Sequence, residues 1–222
     1  MLEAILFDLD GTLADTAPDL GAAVNQLLRE EGLTDKPLPL LRPYTSQGVR
    51  GLLKAGFGID ANDPSYERRA QRFLDLYLER LCRETRLFSG ISELLDTLEE
   101  HGLDWGIVTN KRTRFTNPLV AQLGLTPRTN CVVSGDTTAE AKPSPLPILH
   151  ACQLLACRPE RTWYIGDDRR DIVAGKAAGC FTVAVSYGYL GDSGPIDTWD
   201  ADLIVDHPTE LAQHILKRVA PR

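Results

Sequence analysis

The second half of the chain alternates short apolar runs with segments of helical periodicity, and this alternation restricts the possible folds more than any other feature. The apolar runs lie at 103–109, 131–134, 162–166, 181–185 and 203–205, and helical patterns follow all of them except 181–185, one ending near Gly179. Such alternation predicts repeated β-α units. We therefore expect an α/β fold with a parallel sheet and helices on both faces.

The segment 16–86 interrupts this rhythm because it contains helical patterns and no convincing strand. Leu20, Val24 and Leu27 keep helical spacing after Pro18, and a second apolar stripe runs through 66–81. We expect these stripes to be packing surfaces. The sequence thus predicts a core of 1–15 and 87–222, with 16–86 as a small helical domain inserted after the first strand.

Two carboxylates follow the apolar run at 4–7, in the pentapeptide 8–12. Side chains of an extended chain alternate, so Asp8 and Asp10 point to the same side, and Gly11 permits an immediate turn. A plain turn or a solvated acidic loop would also explain this pattern. A calcium loop fits less well, because Leu13 stands where that loop needs glycine. The pentapeptide alone leaves these alternatives open.

Two other segments carry groups suited to an anion. Thr109 and Asn110 follow the run at 103–109, where a hydroxyl and backbone amides could contact phosphate oxygens; a helix cap is the alternative. Lys142 lies in a loop that Pro143 and Pro145 restrain, so it could provide a fixed positive charge. A surface lysine would look the same in the sequence.

Three acids follow the run at 162–166, namely Asp167, Asp168 and Asp171. Their mutual repulsion requires a cation or hydrogen bonds to compensate it. Helix capping by Asp167 or Asp168, with Asp171 in the first turn, is compatible with such a role. Oxygen ligands without a histidine or cysteine cluster indicate Mg²⁺ rather than zinc.

Composition excludes several partners. With 24 basic and 31 acidic residues the net charge is −7, which argues against nonspecific binding to nucleic acid or anionic membranes. An anionic substrate would therefore need local cations or a metal. The five cysteines form no C-x-x-C pair, and neither a signal peptide nor a membrane span is evident, so we expect free thiols and a cytoplasmic location. Oligomeric state is not indicated.

Together these segments resemble the four motifs of the haloacid dehalogenase superfamily, in order and across nearly the whole chain: Asp8-x-Asp10-x-Thr12, Thr109-Asn110, Lys142-Pro143 and Gly166-Asp167-Asp168-x-x-Asp171. The resemblance implies a Rossmann-like core, and it implies that the helical insert is the mobile cap of that superfamily's first cap class. Because dehalogenases of the superfamily lack the second aspartate, Asp10 favours a phosphatase or mutase.

The same resemblance implies a role for each motif residue. Asp8 would be the nucleophile that forms an aspartyl-phosphate, and Asp10 the general acid and base. Mg²⁺ would be held by Asp8, the Asp10 carbonyl and Asp167, with Asp168 or Asp171 in support. Thr109 and Lys142 would position the phosphoryl group, and Thr12 and Asn110 would belong to the substrate-binding residues.

Finer resemblance in the second half is to bacterial N-acetylmuramic acid 6-phosphate phosphatases of cell-wall recycling, within the phosphoglycolate phosphatase-like branch. It rests on the segments 105–111, 187–189, 199–202 and 206–208. The expected substrate is thus N-acetylmuramic acid 6-phosphate, with 2-phosphoglycolate as the alternative. Gly48 and Arg50 are the expected substrate contacts of the cap. A β-phosphoglucomutase-like mutase or a non-catalytic phosphate-binding regulator remains open.

Overall fold

The computed structural model describes residues 2–129 and 131–218. The described residues form eight strands, in chain order β1 Ala4–Phe7, β2 Ala14–Asp15, β3 Arg86–Leu87, β4 Asp104–Val108, β5 Val132–Val133, β6 Thr162–Gly166, β7 Phe181–Val185 and β8 Leu203–Val205. The five strands predicted in the second half are confirmed. β2 and β3 were not predicted, because two-residue strands carry no periodicity.

Six of these strands form one parallel sheet in the order β5-β4-β1-β6-β7-β8. β1 is central: Phe7 is level with Ile107 of β4 and with Ile165 of β6. All four residues of β1 are buried. Burial on both faces explains why this strand reads as a continuous apolar run rather than an alternating one.

Nine α-helices accompany the strands: α1 Ala17–Glu30, α2 Leu38–Leu41, α3 Gly48–Phe57, α4 Tyr66–Glu79, α5 Ile91–Glu100, α6 Thr113–Gln122, α7 Leu146–Leu154, α8 Arg169–Ala178 and α9 Pro208–Leu216, all among the described residues. A 3₁₀ helix, Arg42–Gln47, connects α2 to α3. Helix α8 ends at Gly179 with a left-handed φ of 86°. The predicted end of that helix is confirmed.

Helices cover both faces of the large sheet, as predicted. Ile5 and Phe7 of β1 pack into a core that includes residues of α5, α6 and α9, whereas Leu6 packs into a second core with residues of α7 and α8. The period-two alternation of strand side chains produces this division. Helices α1 to α4 form a helical insert whose apolar stripes join the first of these cores.

A short antiparallel ribbon lies where the chain leaves and rejoins the part that carries the large sheet. Ala14 of β2 pairs with Leu87 of β3, and Asp15 pairs with Arg86. The expectation of no strand in 16–86 is thus wrong at Arg86. The buried carboxylate of Asp19 in α1 accepts hydrogen bonds from the Thr85 backbone N–H (2.9 Å) and hydroxyl (2.8 Å). These contacts therefore join the segment through which the chain enters the helical insert to the segment through which it leaves.

Among the described residues, no helix is long and apolar enough to cross a membrane. All five cysteines are free thiols, as expected.

Candidate active site

The polar residues singled out in the sequence meet at the carboxyl edge of the parallel sheet. Asp8 follows β1, Thr109 follows β4 and Asp167 follows β6, and these three strands are neighbours. Open α/β sheets bind ligands at this edge, because the loops after adjacent strands converge there. The fold thus brings together the first and the last motif, which are more than 150 residues apart in the sequence.

Three carboxylates form a buried cluster at this edge. Asp8, Asp167 and Asp171 each offer an oxygen, and these oxygens lie within 4.8 Å of one another. Burial, together with the charges of Asp171 and Asp10, raises the pKa of Asp8 to about 6, although Lys142 opposes the rise. Burial and the charge of Asp8 raise the pKa of Asp167 well above its usual range. An all-oxygen donor set with unfavourable negative charge fits a hard divalent cation such as Mg²⁺.

Lys142 lies inside this cluster. Its Nζ is 2.8 Å from Asp8 Oδ1 and 2.7 Å from Asp171 Oδ1. Nζ also lies 2.9 Å from the Val108 carbonyl oxygen and 2.8 Å from the Tyr164 hydroxyl. Burial alone would lower the pKa of Lys142, but the charges of Asp171 and Asp8 raise it above its ordinary value. The ammonium is therefore fixed in place and charged.

Asn110 lines the cavity described below, and its side chain is bound to the backbone of Lys142. Its Nδ2 donates to the Lys142 carbonyl at 2.9 Å, and its Oδ1 accepts from the Lys142 N–H at 2.9 Å. The side-chain amide is thus used to hold the backbone of Lys142. The group of Asn110 left to contact a phosphate is its backbone N–H.

Thr12 contacts a carboxylate of the cluster, whereas Thr109 lies where a phosphate contact could be made. Thr12 is fully buried, does not line the cavity described below, and donates to Asp167 Oδ1 at 3.2 Å. Thr109 is buried but lines that cavity, and its hydroxyl accepts from the Lys111 N–H at 3.2 Å. The Thr12 hydroxyl therefore contacts a carboxylate of the cluster, and its expected contact with substrate stays a prediction.

Asp10 is held by two residues to which the sequence analysis assigned no role. Lys111 Nζ lies 2.9 Å from Asp10 Oδ1, and the Thr16 hydroxyl donates to the same oxygen at 2.6 Å. Lys111 also lies 4.8 Å from the ring centre of Tyr77 in α4, so it connects Asp10 to the helical insert. The signals for Lys111 in the sequence were its place directly after Thr109-Asn110 and its membership of the segment 105–111 that resembles relatives.

The structure gives Asp168 and Asp171 different contacts, and the sequence did not predict this difference. Asp171 belongs to the buried cluster, and its Oδ2 accepts from the Asp168 N–H at 3.1 Å. Asp168 caps α8 and is bound by Arg170, whose Nε and Nη2 each lie 2.9 Å from it. Arg170 Nη2 also donates to the Ser46 carbonyl in the insert at 2.6 Å. Asp171 is thus the one of the two acids whose oxygen lies close to those of Asp8 and Asp167.

Two glycines permit close packing around Asp167. A Cβ on Gly11, which has φ 87°, would lie 2.1 Å from Asp167 Oδ2, and a Cβ on Gly188 would lie 2.3 Å from Asp167 Cβ. The Tyr189 N–H donates to Asp167 Oδ2 at 2.7 Å. Gly188 and Tyr189 were singled out in the sequence only for their resemblance to relatives.

A cavity of about 630 Å³ opens above the cluster, between the sheet edge and the helical insert. Its core side includes Asp8, Asp10, Thr109 and Lys142, and its insert side includes both Gly48 and Arg50. The predicted cap contacts thus face the predicted catalytic residues. Further cations line it, namely Lys111, Arg112, Arg114 and Arg170.

Comparison with known proteins agrees with this geometry. A family model described as haloacid dehalogenase-like hydrolase matches residues 5–185. An N-acetylmuramic acid 6-phosphate phosphatase of Pseudomonas aeruginosa is 43% identical over 210 residues, covering 95% of this chain and 93% of that protein. A phosphoglycolate phosphatase of Xanthomonas campestris pv. campestris is 43% identical over 210 residues, covering 94% of each.

Among solved structures, a predicted phosphoglycolate phosphatase from Haemophilus somnus has a TM-score of 0.85 at 27% identity, covering 96% of this chain and 98% of that chain. A putative phosphoglycolate phosphatase from Lactobacillus delbrueckii has a TM-score of 0.82 at 22% identity, covering 96% and 98%, which supports the fold alone. The superfamily predicted from the four motifs is confirmed: the chain belongs to the haloacid dehalogenase-like hydrolases.

Proposed function

We propose that this chain is a Mg²⁺-dependent phosphatase that hydrolyses N-acetylmuramic acid 6-phosphate through an aspartyl-phosphate on Asp8. The observation that carries the chemistry is the cluster of Asp8, Asp167 and Asp171 around Lys142 on the floor of the cavity. A nucleophile, a fixed cation and a metal-binding donor set are what phosphoryl transfer asks of a protein.

In the first step Asp8 attacks phosphorus. Lys142 binds Asp8 Oδ1, which leaves Oδ2 to form the new bond as the bond from phosphorus to the leaving oxygen breaks. Asp10 gives its proton to that leaving oxygen. Lys111 and Thr16 both bind Asp10 Oδ1, so Oδ2 is the oxygen directed to this proton transfer.

In the second step water attacks the aspartyl-phosphate. Asp10 takes a proton from the water as its oxygen bonds to phosphorus, and the bond between Asp8 and phosphorus breaks. Inorganic phosphate is released, and the two carboxyl groups return to their starting states. Splitting one displacement in this way replaces a difficult step with two easier ones.

The phosphoryl oxygens would be held by Lys142, the Thr109 hydroxyl and the Asn110 backbone N–H. We assign the metal to Asp8 and Asp167, with Asp171 in support and, on the family pattern, the Asp10 carbonyl. When bound, Mg²⁺ supplies positive charge that offsets these carboxylates and the charge on the phosphoryl group. Pre-oriented charges of this type are usually the largest contribution to such catalysis.

The cavity supports the larger of the two candidate substrates. About 630 Å³ accommodates a sugar, whereas a two-carbon acid would leave most of the space empty. We propose that 16–86 acts as a cap, with Arg50 pairing with the lactyl carboxylate and Gly48 allowing close approach. The enzyme would then act in the cytoplasm on sugars recovered from the cell wall.

2-Phosphoglycolate is the second candidate, because a relative with that activity in its name is as similar as the N-acetylmuramic acid 6-phosphate phosphatase. Both substrates carry a carboxylate, so Arg50 does not separate them. Their size does.

The test compares kcat/KM for the two substrates with Mg²⁺ present, by release of inorganic phosphate. We expect higher kcat/KM for the sugar phosphate, and a clear preference for 2-phosphoglycolate would reverse the substrate assignment. Asp8→Asn is the control for mechanism: turnover equal to that of the parent would refute the aspartyl-phosphate. Arg50→Gln should raise KM for both substrates while kcat changes little.

A further inference from the structure

The hydroxyl of Tyr189 binds the start of α1, far away in sequence. It accepts from the backbone N–H groups of Thr16 at 2.6 Å and Ala17 at 2.9 Å, and it donates to Asp15 Oδ1 at 3.0 Å. The side chain is buried, with 4% of its surface exposed. Helix α1 has no side-chain cap from Thr16, so Tyr189 satisfies amides at this helix start.

These contacts determine which group the Thr16 hydroxyl can bind. A tyrosine hydroxyl has one proton and two lone pairs, and the three contacts above use all of them. The Thr16 hydroxyl lies 3.4 Å from the Tyr189 oxygen, but the Tyr189 hydroxyl has no lone pair or proton left to bind it. Its single proton is donated to Asp10 Oδ1 at 2.6 Å.

The other end of Tyr189 binds the carboxylate cluster. Its backbone N–H donates to Asp167 Oδ2 at 2.7 Å. One residue therefore spans from the proposed metal ligand to the backbone of Thr16, whose side chain holds Asp10. Because Thr16 lies directly after β2, at the junction between core and insert, it would otherwise be free to shift with the insert.

We propose that Tyr189 is a positioning residue for Asp10: by fixing the Thr16 backbone, its hydroxyl keeps the Thr16 side chain bound to the general acid. This inference rests on the acid role that Asp10 has in the proposed function. Loss of the Tyr189 hydroxyl should weaken proton transfer to the leaving oxygen more than it weakens the fold.

The leaving group provides the readout. A sugar or other alkyl phosphate needs a proton on its leaving oxygen, whereas 4-nitrophenyl phosphate needs one far less, because nitrophenolate leaves readily. We expect Tyr189→Phe to lower kcat/KM about tenfold for the alkyl phosphate, and by no more than about twofold for the aryl phosphate. A purely structural role would lower both by the same factor.

A double-mutant cycle tests the route through Thr16. Thr16→Val should show the same selective loss, and the double variant should lose about as much as either single one, because both changes remove one contact. Thr16→Ser keeps the hydroxyl and should restore selectivity towards the parent's. Tyr187→Phe is the matched control, since its hydroxyl donates to the Thr12 carbonyl at 3.0 Å, and its effects should add to those of Thr16→Val.

Several results would overturn the inference: equal losses on the two substrates, additive effects of Tyr189→Phe and Thr16→Val, or a Tyr189→Phe protein that does not fold when checked by its melting temperature. None of these results contradicts the proposed function if Asp8→Asn is inactive. Activity of Asp8→Asn would refute the proposed function, and the inference with it.

Discussion

Removing the metal should make the stability of this protein depend on pH through Asp8. The folded protein holds a proton on Asp8 up to a pKa of about 6, whereas the ordinary value is 3.8. Between these values the folded state binds more protons than the unfolded state, so the free energy of unfolding falls as the pH rises. Burial beside Asp171 and Asp10 is the cause, because it disfavours the charged form.

The magnitude follows from the two pKa values. The charged carboxylate should cost about 3 kcal/mol at about pH 7.5, about half as much at about pH 5, and little near pH 4. Asp8→Asn removes this titration while keeping the shape of the side chain. In EDTA the variant should therefore be more stable than the parent by about these amounts.

Urea unfolding of parent and variant at each pH, with EDTA or with Mg²⁺, measures the difference. Mg²⁺ should stabilise the parent far more than Asp8→Asn, because only the parent has the charged ligand that the metal offsets. Comparison of the two proteins cancels the many surface acids that titrate in both. If the free energy of unfolding depended on pH in the same way for parent and variant in EDTA, the assignment of a destabilising buried charge to Asp8 would be refuted.

Three further outcomes are expected. Asn110→Ala should lower the free energy of unfolding by about 2 kcal/mol, about 1 kcal/mol for each hydrogen bond to the Lys142 backbone, in the same urea assay. Gly11→Ala should cost more than about 1 kcal/mol and weaken Mg²⁺ binding by calorimetry, because its Cβ would meet Asp167 at a positive φ. Arg170→Gln should raise KM several-fold, because it removes the contact with the Ser46 carbonyl, and it should lower the melting temperature, because it leaves the buried Asp168 carboxylate without its charge partner; an unchanged KM would argue against the Ser46 contact in solution.

The large sheet could be predicted because its strands are buried on both faces. Each then appears as an apolar run of strand length, and Gly179 marks a helix end by its left-handed backbone. The β2 and β3 ribbon could not be predicted, since its pairing joins residues more than 70 apart and each strand is two residues long. Local pattern carries no information about such a pairing.

In the site, too, the sequence predicted the types of residue that come together but not the partners that they bind. The motifs predicted which residues converge, but not that Asn110 and Thr12 bind Lys142 and Asp167. A threonine or asparagine at a strand end is equally suited to a ligand or to a neighbouring side chain. Tyr189 illustrates the reverse case, because its partner Thr16 is 173 residues away and no spacing connects them.

The charges at the floor of the site explain how an acidic chain can bind an anionic substrate. Five carboxylates lie there, those of Asp8, Asp10, Asp167, Asp168 and Asp171, and the cations that pair with them in the described residues are Lys111, Lys142 and Arg170. When all five are ionised, the carboxylates exceed these cations by two charges, an excess that one divalent ion would offset.

Each of those three cations is already bound to a carboxylate, so none is free to attract a phosphate by itself. The exposed arginines of the cavity, Arg50, Arg112 and Arg114, lie nearer its rim and can attract an anion without cancelling the charge of the floor. Because like charges repel strongly in a buried site, the phosphate should enter only after the metal has neutralised the floor. We therefore predict that the metal binds before the substrate, whichever phosphate ester that substrate is.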